Sequence, residues 1–283
     1  MEQYSIGRVF SRAFDQLKSN FWTLLGFVIL SYLLTSVITV IAAIPLFASI
    51  GVNAAALAAG GAAHDPSAML GLIAAPSFWL ALLVLITVAL LSYSVIYAGA
   101  FYCLGASSIG ETPSIGSCFG VGFRKAFPLF LTMLLGGLGV MLGYLLLIIP
   151  GIILALMWAV AIPACVLENL GATASLQRSN ELTKGSKGMI FLTFLVVTIG
   201  MLVLELLIFG IFGMSMTAMV TPGTQPSPAN IGGAIAGILF GELVLVVFGM
   251  LVMLVMLSLH VSIYREVKLV REGSDSGLAD VFR

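Results

Sequence analysis

The chain's twelve lysines and arginines fall in only four places. Arg8, Arg12 and Lys18 form the first group and Arg124 and Lys125 the second. Arg178, Lys184 and Lys187 form the third, and Arg265, Lys268, Arg271 and Arg283 the last. Between the groups lie long apolar stretches and loops without a cation. Cationic segments resist translocation, so all four groups are expected on the cytoplasmic side of a membrane. Of the 283 residues, 8% are charged and 60% hydrophobic, whereas soluble domains carry roughly 25% charged residues. A water-soluble fold could not hide this much apolar surface. The formal net charge of zero conceals an asymmetry between two faces, which argues against nucleic acid and for membrane lipids with an anionic inner leaflet as the partner.

A crossing helix needs about 20 apolar residues. Six segments qualify, at about 21–48, 78–103, 129–147, 152–167, 188–213 and 231–262. The third and fourth come from one nearly unbroken apolar run, Leu129 to Leu167. As a single helix it would be roughly 58 Å long, about twice the hydrocarbon core. Pro150-Gly151 interrupts it, and cations flank it on both sides. Same-side flanks demand an even number of crossings, so the run is expected to be a hairpin turning near 149–151. A re-entrant loop would satisfy the same parity. Both termini are then cytoplasmic: residues 1–263 form one membrane domain and 264–283 a cytoplasmic tail. The first apolar run exceeds the usual signal-peptide core of about 7–15 residues and reads as a retained span. Cys103, Cys118 and Cys165 imply no disulfide framework and lack zinc spacing; they read as small buried hydrophobes.

Three amphipathic segments precede the first, third and fifth spans. In the first, Ile6, Val9, Phe10, Ala13, Phe14 and Leu17 repeat at helical spacing, with Arg8, Arg12, Asp15 and Lys18 on the other face. Ser5-Ile6-Gly7 with Phe10 and Phe14 matches Ser114-Ile115-Gly116 with Phe119 and Phe123. In the third copy, Arg178, Glu181 and Lys184 repeat the spacing of Arg12, Asp15 and Lys18. The expected fold is all-α and polytopic: three units, each an interfacial helix followed by two spans. The cations Arg12, Lys18, Arg124, Lys125, Arg178 and Lys184, with Glu168, are candidates for lipid-headgroup contact. For Glu168, a local ion pair with Arg178 is the simpler alternative.

From Ile149 the chain reads Ile-Pro-Gly-Ile-Ile-Leu, then Trp158, Pro163, Glu168, Gly171, Leu176, Ser179, Leu182, Lys184 and Gly185. Together with Phe-x-x-Ala-Phe-x-x-Leu-Lys-x-Asn-Phe-Trp from Phe10 to Trp22, this resembles the YciC-like family of bacterial inner-membrane proteins. That family is akin to the membrane domain attached to some glycerophosphodiester phosphodiesterases. The resemblance implies a bundle of about six helices in a bacterial inner membrane and little chemistry. In fused members the hydrolase is a separate soluble domain, for which this chain has no room.

No catalytic constellation emerges. The two histidines, His64 and His260, lie far apart, and no metalloprotease, nucleophile-elbow or phosphate-loop motif appears. No catalytic residue, metal site or cofactor is expected. Two acids stand out. Glu205 and Glu242 sit inside the fifth and sixth spans, at depths equal to within about 5 Å. Charges in a span are costly and suggest function. One reading makes them a proton- or cation-coupled transport site. The other makes each a carboxylic acid hydrogen-bonded to a hydroxyl, for which Ser31, Thr35 and Thr39 on the first span are natural partners. Gly233, Gly237 and Gly241 form a small-residue stripe for close packing, against another helix of this chain, a second protomer or another membrane protein. The leading expectation is a non-enzymatic protein that binds or organises lipid at the cytoplasmic leaflet. The alternative is a transporter or channel using Glu205 and Glu242.

Overall fold

The computed structural model describes residues 3–59, 74–108, 110–219 and 228–273; the side chains of 52–59, 209, 211–219, 228–239 and 242 are not described. Its elements are all helices: α1 (Ile6–Ala59), α2 (Pro76–Ser108), α3 (Ile115–Leu146), α4 (Ile148–Met157), α5 (Ala161–Leu167), α6 (Ala172–Thr183), α7 (Lys187–Met219) and α8 (Pro228–Glu272). Six stretches are long and apolar enough to cross a membrane, α4 and α5 together making one of them. The chain is an all-α, multi-pass integral membrane protein.

The three amphipathic segments join their spans in three different ways. The first bends into its span at Asn20, the one non-helical residue inside α1 (φ −126, ψ 21). The Asn20 side chain turns back to donate to Ser19 Oγ at 2.9 Å, a local bond that competes with the helix. The second is continuous with its span, as the first turns of the 32-residue α3. Ser114 caps that helix, its hydroxyl accepting from Ser117 N at 3.1 Å. The third, α6, is a separate helix. It is entered after Asn169, whose φ of +56 asparagine tolerates better than most residues, and left through Gly185 at φ +91.

The hairpin turns at Leu147, whose extended backbone (φ −163, ψ 152) separates α3 from α4. This is earlier than 149–151. Pro150 lies in the first turn of α4, where its missing N–H breaks no helical bond. Pro163 likewise opens α5 and bends no helix. The fourth span breaks instead at 158–160, where Trp158 and Val160 leave helical geometry. Near the tip the two arms touch backbone to backbone: a Cβ on Gly143 would lie 2.9 Å from the Cα of Gly151.

Helix α2 packs along both α1 and α3, and α1 also packs on α8. Glycines set the α2–α3 approach. A Cβ on Gly99 would stand 2.7 Å from the Cys118 carbonyl, and one on Gly122 would stand 2.6 Å from that of Val95. This closeness brings Cys103 and Cys118 to a Cα separation of 5.8 Å, and they form a disulfide. The expectation of three unlinked cysteines therefore holds only for Cys165, which is free and buried. The pair was hidden because its partners lie on different helices, and only the glycine contacts fix the distance.

Two buried clusters form the core. One gathers Leu24, Phe27, Phe101, Leu104, Leu254 and Leu257. The other joins Val9 on the first amphipathic segment and Leu182 on α6 to Ile190, Tyr264 and Val267. Away from these clusters the helices expose apolar side chains such as Val40, Leu145, Leu206 and Leu207, as lipid-facing surfaces do.

Candidate functional site

The ion-paired side chains of the described residues converge at one end of the bundle. The C-terminal turns of α8 form the hub. Glu266, wholly buried, accepts from Arg8 Nη2 at 2.7 Å, Arg12 Nη1 at 3.0 Å and the backbone N–H of Ser5 at 2.8 Å. On the other side of the hub, Glu168 accepts from Arg178 Nε at 2.7 Å and from the Tyr264 hydroxyl at 2.6 Å. Lys268 Nζ stands 3.4 Å from the same carboxylate, and Arg178 also pairs with Glu272. The two arginines that occupy matching places in the repeat, Arg12 and Arg178, thus both bind acids of α8.

Burial alone would raise the Glu168 pKa. The hydrogen bonds from Arg178 and Tyr264, with the charges of Arg178 and Lys268, outweigh it and hold the carboxyl below its ordinary range. The same partnership with Glu168 raises the Arg178 guanidinium.

Helix α6 does more than carry charge. Its Ser179 hydroxyl accepts from Val160 N at 3.2 Å and donates to Met157 O at 2.8 Å. These backbone groups are the ones freed by the break between α4 and α5. An unpaired N–H or C=O in a span is expensive, and a serine from the amphipathic helix satisfies both. Ser179 and Thr183 are fully buried, so this face of α6 packs on protein.

The second cationic group is arranged differently. Arg124 and Lys125 line a cavity of about 630 Å³ with Tyr102, Val121, Pro128, Val166 and Asn169. Asn169 follows Glu168, so this cavity adjoins the ion-pair network. All four basic groups therefore have members at the same end of the molecule. No acid lines the cavity, and neither Arg124 nor Lys125 makes an ion pair among the described residues. Lys18 and Lys184 are exposed.

Of the intramembrane candidates that are described, Thr35 and Thr39 lie on α1 and Glu205 on α7. Glu205 is exposed on α7 among exposed leucines. Thr35 lines a cavity built only from α1, α2 and α3, and Thr39 is half-buried on α1. Gly241 is buried. The side chain of Glu242 and the surroundings of Gly233 and Gly237 lie outside the described residues, as does His64. His260 packs between the rings of Phe101 and Phe194, its Nδ1 2.7 Å from Met256 O on its own helix. No group of three or more metal-ligating side chains occurs among the described residues.

No family model, curated protein or solved structure matches this chain. What the fold itself defines is the class already stated, a multi-pass membrane protein, with the ion pairs of its described residues gathered at one end.

Proposed function

We propose that the protein is a non-enzymatic membrane protein that binds anionic lipid at the cytoplasmic leaflet, with Arg124 and Lys125 as the headgroup contacts. One contrast carries this reading. Arg8, Arg12, Arg178 and Lys268 pair with acids of the chain itself, while Arg124 and Lys125 line a cavity with none. A cation beside an anionic bilayer surface contributes about 1 kcal/mol toward lipid phosphate. Asn169 adds hydrogen-bonding capacity to the same cavity wall. The cytoplasmic placement rests on the sidedness of cations. The resemblance to the YciC-like bacterial inner-membrane proteins agrees with it.

The test is native mass spectrometry of the purified protein with mixed neutral and anionic phospholipids. Wild type is expected to retain the anionic lipid preferentially. Arg124→Ala with Lys125→Ala should lower that preference roughly tenfold or more, from two contacts of about 1 kcal/mol each. An undiminished preference in the double variant would overturn the assignment.

A further inference from the structure

The charge and the donors of the Arg124–Lys125 cavity narrow the ligand it takes, an inference that rests on the assignment of these two residues as headgroup contacts. The cavity measures about 630 Å³, within the range of roughly 300–1,000 Å³ usual for small-molecule sites. Three segments wall it. Tyr102 comes from α2, Arg124 and Lys125 from α3, and Val166 and Asn169 from α5 and the residues just after it. Arg124 is exposed and Lys125 half-buried, so an incoming group can reach both.

Two acidic groups stand near enough to neutralise this pair, and neither does. Glu168 precedes Asn169 in the chain, but its carboxylate is held by Arg178 and Tyr264, with Lys268 beside it. Cys165 lies within electrostatic reach of Lys125. Its thiol donates to the Leu170 carbonyl at 3.3 Å, so it brings hydrogen bonding and no charge. The lining residues therefore offer two positive charges, a guanidinium and an ammonium, with no counter-charge among them.

Two cations on one cavity favour a doubly charged ligand. A guanidinium fork takes two oxygens of one phosphate. A phosphodiester has only two unesterified oxygens and a single charge, so the fork alone uses both. A phosphomonoester has three such oxygens and a charge of about −1.5 to −2 at neutral pH. It leaves one oxygen for an ammonium and brings the second charge that matches it. We propose that the cavity recognises a phosphomonoester, carried by a phosphatidic acid headgroup or by a soluble phosphate, with Arg124 taking two of its oxygens and Lys125 the third.

The test is titration calorimetry of the full chain in neutral detergent with dioctanoyl phosphatidic acid, phosphatidylglycerol and phosphatidylcholine. At neutral pH the monoester lipid is expected to bind roughly tenfold more tightly than the diester phosphatidylglycerol, the worth of one further charge-assisted hydrogen bond. Lys125→Gln should remove that advantage, while Arg124 still holds both anionic lipids above phosphatidylcholine. The monoester loses its second charge as pH falls through about 6, so the advantage should shrink by about pH 5. No histidine lines the cavity, so a change near pH 6 belongs to the ligand. Equal affinity for the two anionic lipids, both above phosphatidylcholine, would overturn this proposal and leave the headgroup reading standing. No preference for either over phosphatidylcholine would remove both. An advantage that persists in Lys125→Gln, or undiminished in acid, would also overturn it. Glycerol phosphate separates the two sources. Binding as tight as that of phosphatidic acid assigns the phosphomonoester to a soluble molecule, and far weaker binding assigns it to the lipid.

Discussion

Arg12 and Glu266 are 254 residues apart in the chain and 3.0 Å apart in space. With Arg8 on the other carboxylate oxygen, the pair fastens the first amphipathic segment to the end of the last helix. The partners are unequal: the acid is 0% exposed, the arginines 39% and 27%.

That inequality predicts an asymmetry. Removing both arginines strands a buried carboxylate, which costs about 3–5 kcal/mol when a buried pair is broken. Glu266→Ala instead leaves two guanidiniums that water can reach, and should cost less, about 1–3 kcal/mol. Thermal unfolding in detergent measures both. Equal losses, or a larger loss for Glu266→Ala, would contradict the burial argument.

The Glu168 cluster predicts a loss of stability in acid. Its carboxyl lies below the ordinary 4.5 in the folded state, so its contribution is complete above about pH 4.5 and fades as pH falls through the lowered value. Arg178 is raised by its hydrogen bond with Glu168 and stays charged throughout this window. Amide exchange across α6 should therefore accelerate below pH 4.5, and Glu168→Gln should give the fast exchange already at neutral pH.

Ser179→Ala should cost about 1–3 kcal/mol, because it leaves the Val160 N–H without its acceptor and the Met157 carbonyl with a poorer donor. The Thr183 hydroxyl, 3.4 Å from the same carbonyl, compensates only partly. Unchanged melting in Ser179→Ala would remove the role assigned to this serine.

Thiol counting tests the Cys103–Cys118 bond. The unreduced protein, unfolded in denaturant, should react with one equivalent of maleimide at Cys165 and with three after reduction. Three equivalents before reduction would show the two helices held together by packing alone.

The sequence displayed some of these features and concealed others, for physical reasons. The six apolar runs were legible because lipid imposes a length and a composition on any crossing. The Glu168–Arg178 pair was legible because ten residues and one turn separate its members. The anchoring of Arg8 and Arg12 on Glu266 was not, since no local pattern relates residues at opposite ends of a chain. The break at 158–160 carries no proline or glycine of its own, and its cause is tertiary: a serine from another helix supplies the bonds that the span gives up. The neighbouring prolines, Pro150 and Pro163, lie in first turns, where they start helices.

The clasp between Glu266 and the first amphipathic segment also constrains the order of assembly. A ribosome makes Arg8 and Arg12 early and Glu266 only after all six greasy stretches have emerged. Until then Arg8 and Arg12 lack the carboxylate that they share in the finished fold. The clasp can close only once the sixth span is made, so the first segment to be synthesised is fastened late.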